Sequence, residues 1–323
     1  MRLSKRELIL GAGAMAAFGG AAFGAPAGPR LSQRLGVQLY VLSDLAADAM
    51  PAALQALSKI GYREVEGMRA PTAAAWRREL DRANLRCPSI GGSLDSDPER
   101  AAKATAKEIA DARTVGARTL VLGGFPIMER APKGLNLADY LGDATRLEQL
   151  RQILDPIMKS LTAEDWVWYA RQMNEKGAKL NAAGLRIACH NHNTEFAKLA
   201  NGRTIFDLLI AETDPKLVDF ELDLGWVRAA GLDPAAVLKR HASRVTQLHM
   251  KDLRETKPNF DGLMNPADLG TGVQDWNGIA DAIKGSAVRH VFFEQEPPYP
   301  ASGLKSAAVA YAYLQPLLAK KGL

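Results

Sequence analysis

The chain has 323 residues, 47 % of them apolar and 24 % charged, with a formal net charge of +5. That length can bury one large core or two small ones, and the balance is ordinary for a soluble globular protein. The charge excess is mild, comes partly from Arg2, Lys5 and Arg6, and contains no further Lys/Arg block of the kind that marks a nucleic-acid binder.

The first residues read as an address rather than as fold. "MRLSKRE" is a basic head, "LILGAGAMAAFGGAAF" is apolar and rich in small residues, and "APA" at 25–27 suits a signal peptidase. The apolar run is shorter than the ~20 residues of a membrane span. Residues 1–27 are therefore expected to be an export signal. "SKRELIL" resembles the twin-arginine motif, departing from it at Lys5 and Leu8. The expectation is a periplasmic or otherwise exported protein with no stable membrane insertion after cleavage; an ordinary secretory signal or an uncleaved anchor are the alternatives. Cys87 and Cys189 each sit in an apolar segment, which favours two buried thiols over a disulfide.

Beyond the leader, apolar strands alternate with amphipathic helical stretches. The strand candidates are "LGVQLYVL" (35–42), "YREVEGM" (62–68), "CPSIGGS" (87–93), "RTLVLGGF" (118–125), "LRIACHNH" (185–192), "VDFELDLGW" (218–226), "VTQLHMKD" (245–252) and "HVFFEQEP" (290–297). Gly61, Gly116 and Gly184 stop helices just before the next strand. Eight strand–helix repeats in one domain over 31–323 have the count and size of an α/β (β/α)8 TIM barrel. A doubly wound sheet would more often carry a glycine-rich phosphate loop after its first strand, and "YVLSDLAADAM" is not one. Residues 126–160 form a long excursion after the fourth strand, on the face where such barrels carry their sites, and suit a lid or a subunit contact.

Residues two apart on a strand share a face. The last four strands carry polar pairs at that spacing near their C-terminal ends: His190/His192, Glu221/Asp223, His249/Lys251 and Glu294/Glu296. One strand-end histidine is more often structural than functional, and Glu221 alone could pair with an arginine outside the barrel. Four consecutive strands ending alike point to a site. So many buried ionisable groups need compensation, and a bound cation with a mixed O/N shell supplies it.

With "GLRIACHNHNTEF", "ELDLGWVRAAGLDP", "QLHMKD", "DLGTGVQDW" and "HVFFEQE" in that order, the chain resembles the xylose isomerase-like TIM-barrel superfamily. Within it the chain looks most like the proteins called sugar phosphate isomerases/epimerases. The resemblance implies one divalent metal, Mn²⁺ first with Mg²⁺, Co²⁺ or Zn²⁺ as alternatives, held by Asp223, His249 and Glu294. Where the family usually has a glutamate this chain has His190, so Glu195 is the expected first ligand and His190 or His192 the alternative. The metal would grip the oxygens of a non-phosphorylated sugar or keto-sugar while a base removes the proton α to the carbonyl. His190, His192 and Glu296 are the candidate bases, and Lys251 would orient or neutralise an oxyanion.

Returning the proton gives an isomerase or epimerase. Expelling a β leaving group gives a 3-keto-glycoside lyase or keto-polyol dehydratase. The metal shell alone does not separate them, and His190 in the glutamate position tilts toward one-sided elimination. A non-catalytic sugar-binding barrel, with Trp166, Trp168, Trp226 and Trp276 as stacking surfaces, is the reading from another class. A nuclease like endonuclease IV would need further histidine ligands, and the first four strands have none. The expected partner is a small carbohydrate, with no nucleic acid; a homo-oligomer is left open.

Overall fold

The computed structural model describes residues 29–136, 139–140, 144–255 and 265–323. The expected export signal lies outside them, as do part of the 126–160 excursion and residues 256–264. Eight parallel strands close into a barrel: β1 (Gly36–Gln38), β2 (Glu64–Glu66), β3 (Arg86–Gly92), β4 (Thr119–Leu122), β5 (Arg186–His190), β6 (Val218–Asp223), β7 (Val245–Met250) and, after a two-stranded antiparallel pair β8 (Asp252–Leu253) and β9 (Pro266–Ala267), β10 (His290–Phe293). Neighbours follow chain order around the barrel, and β1 closes it against β10. The expected (β/α)8 barrel is the observed architecture.

The helices between the strands carry the local signals that their sequences announce. α1 (Met50–Ile60) ends at Gly61, Thr72 caps α2 (Ala73–Ala83), Asp97 caps α3 (Pro98–Val115), and Thr162 with Asp165 forms a reciprocal capping box on α5 (Ala163–Ala182). Gly116 ends α3 at φ +85°, a left-handed conformation that costs glycine no Cβ clash. The 126–160 stretch contains a short 3₁₀ turn (Ile127–Arg130) and α4 (Ala144–Ser160). Among the described residues no helix is long and apolar enough to cross a membrane.

Every strand but β3, which keeps the seven residues of its run, is shorter than its apolar run suggests. After Gln38 the chain turns into a 3₁₀ helix (Leu39–Leu42), because the Gln38 side chain accepts from the Tyr40 amide. Asp223 ends β6 by capping α7 (Leu224–Ala229), its Oδ1 accepting from Trp226 N at 2.9 Å. Polar residues read as strand ends therefore fall on the rim or up to three residues past it, where a side chain can turn over the barrel mouth.

Alternation along β6 separates two environments. Val218, Phe220 and Leu222 are fully buried on the face opposite Asp219, Glu221 and Asp223. Phe220 meets Phe206 of α6 (Ile205–Glu212) edge-on at 5.3 Å. Phe220→Ala should cost about 3–5 kcal/mol of stability in urea unfolding while leaving the chemistry at the barrel mouth intact. Cys87 and Cys189 are both free and buried, as expected, and burial pushes each thiol up to about 12.

Candidate functional site

Strand register sets the site. His190 lies beside Glu221 across β5–β6, and Asp223 lies beside His249 across β6–β7. Glu294 follows the last residue of β10, and Lys251 the last residue of β7. All six are buried. All but Asp223 line a cavity of about 710 Å³ at the C-terminal mouth of the barrel, which His192, Trp226 and Glu296 also line.

His249 is the hub. Its Nε2 lies 2.8 Å from Glu66 Oε1 and 3.3 Å from Glu221 Oε2. Carboxylates accept, so Nε2 carries a proton, and Nδ1 is the nitrogen that would give up its own proton to take a cation. That Nδ1 has no hydrogen bond and stands 3.5 Å from Asp223 Oδ2. His190 obeys the same logic: its Nδ1 is 3.2 Å from Glu221 Oε2, which leaves Nε2 bare. Beneath these histidines Gln247 Nε2 donates to Glu221 Oε1 (2.9 Å), Ser89 Oγ (3.1 Å) and Glu66 Oε2 (3.2 Å), and Ser89 donates to Glu66 Oε2 (2.6 Å).

Lys251 is fully buried among carboxylates. Its Nζ is 2.9 Å from Asp223 Oδ2, 2.7 Å from Glu296 Oε1 and in contact with Glu294 Oε2. It also sits 5.0 Å over the Trp226 ring. Gly225 makes this possible: a Cβ there would lie 2.5 Å from Lys251 Cγ and Cδ. Gly225→Ala should therefore displace the lysine and lower turnover about tenfold or more, the effect of a misplaced positioning group, with the fold retained by circular dichroism.

Electrostatics sort the histidines. Burial, then the charge of His249, pushes His190 down to about 3. Burial, then His190, pushes His192 down to about 4. Both are neutral at physiological pH and can accept a proton or ligate. Burial also opposes a charged His249, but Glu221 and Glu66 outweigh it and raise that imidazolium well above the usual range. Burial and Glu221 push Glu66 up to about 7. Burial opposes the Asp223 carboxylate, yet Lys251 and His249 hold it well below the ordinary range.

The donor set fits a divalent metal on its own geometry. Asp223, His249 and Glu294 offer ligand atoms within 4.8 Å of one another, and so do His190, Glu221 and His249. Asp223 Oδ2, His249 Nδ1 and Glu294 Oε2 are buried without a well-formed hydrogen bond, and two of the three touch the Lys251 ammonium. Oxygen and imidazole donors around a point already occupied by positive charge are what a first-row divalent ion requires.

Of the residues expected from sequence, the structure brings His190, Asp223, His249, Lys251, Glu294 and Glu296 together, with His192 on the same cavity. Glu195, expected as the first ligand, is placed otherwise. Its Oε2 accepts from His192 N (2.8 Å) and from the Thr194 hydroxyl (3.0 Å), closing its own 3₁₀ turn, and it belongs to neither ligand group. Sequence reading missed Glu66, Ser89 and Gln247. Glu66 is 183 positions from His249, so no spacing rule links them. The signal that could have found it is the pair of glutamates in a short strand, "EVE", that alternation with Val65 places on the barrel's inner face.

Asp252 of "HMKD" has a separate task. It accepts from Leu253 N, Gly270 N, Gly272 N, Gln274 N and Trp276 Nε1 at 2.9–3.2 Å, gathering the returning loop onto the barrel. The turn at Gly270 and Gly272 thus folds around this carboxylate.

Comparison with known proteins agrees with this geometry. The "Xylose isomerase-like TIM barrel" family model matches residues 54–315. An inosose dehydratase of Lactiplantibacillus plantarum is 27 % identical over 167 residues, covering 48 % of this chain and 55 % of that protein. The chain thus aligns with about half the length of this curated relative. Among solved structures, a sugar phosphate isomerase/epimerase of Parabacteroides distasonis superposes with a TM-score of 0.67 at 19 % identity, covering 91 % of this chain and 97 % of that one. The IOLI protein, solved with a zinc atom, gives 0.62 at 12 % identity over 89 % and 98 %. At such identities the superpositions speak for the fold, and the family match for descent: the chain belongs to the xylose isomerase-like TIM-barrel family.

Proposed function

We propose that the protein is a divalent-metal-dependent enzyme that removes a proton α to the carbonyl of a non-phosphorylated keto-polyol or keto-sugar, with β-elimination of water as the favoured outcome. The observation that carries this is the convergence of Asp223 Oδ2, His249 Nδ1 and Glu294 Oε2, none with a well-formed hydrogen bond, beside two neutral histidines. His190, with its Nε2 bare, is the proposed fourth donor in place of Glu195. When bound, the metal would polarise the substrate carbonyl and lower the barrier to enolisation.

The chain supplies the rest. Neutral His192 takes the α proton, and Trp226, 5.3 Å from its ring, walls that side of the cavity. Lys251, held by Glu296 and Asp223, offers N–H donors to developing negative charge on the substrate oxygen. Loss of the β hydroxyl as water then completes a C=C bond. Proton return instead of hydroxyl loss gives the isomerase or epimerase, and the same residues serve both.

The cavity's charge favours a neutral substrate. Glu66, Glu108, Asp111, Glu221, Glu294 and Glu296 line it against Arg69, Lys251 and the His249 imidazolium, and Lys251 and His249 are already paired. A phosphorylated substrate would meet net repulsion there. Resemblance to an inosose dehydratase and to an isomerase/epimerase supports the substrate class and both reaction outcomes.

The test is incubation of the Mn²⁺-loaded protein with a keto-cyclitol or a free ketose in deuterated water. Growth of enone absorbance with loss of water supports elimination, whereas deuterium incorporation without it supports isomerisation. Neither reaction with any divalent ion, alongside saturable sugar binding, would replace both with the non-catalytic binding barrel.

A further inference from the structure

At the opposite end of the barrel, the end where the strands begin, a second chemistry is assembled from residues scattered along the chain. A cation stands at or within two residues of the start of every barrel strand: Arg34, Arg63, Arg86, Arg118, Arg186, Lys216, Arg244 and Arg289. No two are adjacent in sequence. Closure of the barrel is what puts them on one rim.

The rim divides in two. On β5, β6 and β7 the cations are engaged or faced by acid. Arg186 makes a two-pronged pair with Asp219 at 2.7 and 2.9 Å, Arg244 donates to Ile210 O, Val218 O and Thr213 Oγ1, and Asp214 caps the turn at Lys216. On β10, β1, β2, β3 and β4, five consecutive neighbours around the barrel, stand Arg289, Arg34, Arg63, Arg86 and Arg118. Among the described residues none of these five has a carboxylate within ion-pair distance. With strands ~4.8 Å apart the arc is about 20 Å long.

Cations at this end also offset the negative C-terminal ends of the surrounding helices, and Arg63 does so, donating to Ser58 O and Tyr62 O. Arg34, Arg86, Arg118 and Arg289 have no such carbonyl bond among the described residues, and Arg34 Nε is buried with no partner at all. At the centre of the arc a pocket of about 240 Å³ is lined by Arg34, Arg63, Arg86 and Asn84. Its one carboxylate, Glu64, is turned to His290 at 2.7 Å.

We propose that this pocket is a binding site for a phosphate group. Three guanidiniums around a small cavity match a tetrahedral dianion in charge and in donor geometry, each fork offering paired N–H groups to phosphate oxygens. Arg118 and Arg289 extend positive potential to either side, which suits a phosphate carried on a larger body. The carboxylate-lined mouth at the other end disfavours the same ligand, so the two sites select opposite charge. The source is either a free small phosphate or the headgroup of an anionic lipid. Pro29, the first described residue, lines this same pocket.

The experiment uses the full chain at low ionic strength. Calorimetric titration with inorganic phosphate and flotation with phosphatidylglycerol or phosphatidylcholine vesicles are compared for wild type, Arg34→Gln/Arg86→Gln and Lys216→Gln. Phosphate or phosphatidylglycerol binding that weakens tenfold or more in the double variant and is unchanged in Lys216→Gln supports the site. Binding of free phosphate identifies a small ligand, and binding of phosphatidylglycerol vesicles alone identifies the headgroup. No binding in either arm overturns the proposal, and so does binding that the double variant leaves unchanged or that Lys216→Gln weakens equally. Retained sugar chemistry and circular dichroism in the double variant would show that the barrel itself is intact.

Discussion

The Asp223→Asn, His249→Ala double variant is expected to bind no divalent ion and to lose about a thousandfold or more in turnover, since losing several kcal/mol of carbonyl polarisation corresponds to ~10³ in rate. The pair is chosen for what it leaves in place. Asparagine at 223 keeps Oδ1 as the cap on Trp226 N and removes only the charge at Oδ2. Alanine at 249 removes the Nδ1 donor, while Gln247 still bridges Glu66 and Glu221 below it. Metal per chain by elemental analysis, with circular dichroism as the control on folding, reads the result. Full metal content in the variant would mean that the ion sits elsewhere. Three ions per wild-type chain would bring back the nuclease reading.

Lys251→Met is expected to separate the stability of the metal-free protein from that of the loaded one. Removing the ammonium leaves Asp223 and Glu294 buried without their cation, and breaking a buried pair in this way costs about 3–5 kcal/mol. A divalent ion can repay that cost, because its donors include the same two carboxylates. Metal should thus raise the melting temperature of Lys251→Met more than that of wild type, by the linkage between ligand binding and folding. It should also bind the variant at least as tightly, since the ammonium no longer competes. Turnover should still fall, because no N–H donor then meets the substrate oxygen. Equal melting temperatures for the two metal-free proteins would show that the lysine does not compensate these carboxylates.

Much of this was open to reading along the chain. Eight apolar runs punctuated by Gly61, Gly116 and Gly184 specify the barrel, since short-range periodicity and stop signals are local properties. Asp223, His249, Lys251, Glu294 and Glu296 were visible because a two-residue spacing at a strand end is local as well. What lay beyond reach depends on barrel closure. Glu66 meets His249 across the lumen, and Ser89 meets Gln247 over 158 positions, pairings fixed by strand stagger rather than by any spacing. The exact strand ends were hidden because Gln38 and Asp223 stop their strands with side-chain hydrogen bonds that apolarity does not register. Glu195 stands apart from the donor groups for the opposite reason. Near His190 in sequence, it satisfies itself on His192 N and Thr194 instead of reaching the ligand group.

The polar layer of Glu66, Ser89, Gln247 and Glu221 has an evolutionary consequence. These side chains occupy lumen positions that in an ordinary barrel would be branched aliphatics. Cohesion must then come from the outer shell, where Phe220, Leu222, Leu248 and Val291 face the helices. Adaptation to temperature and adaptation to substrate can consequently proceed on different residues of the same strand, alternating one by one. A lineage of such barrels could change what it transforms without first renegotiating whether it folds.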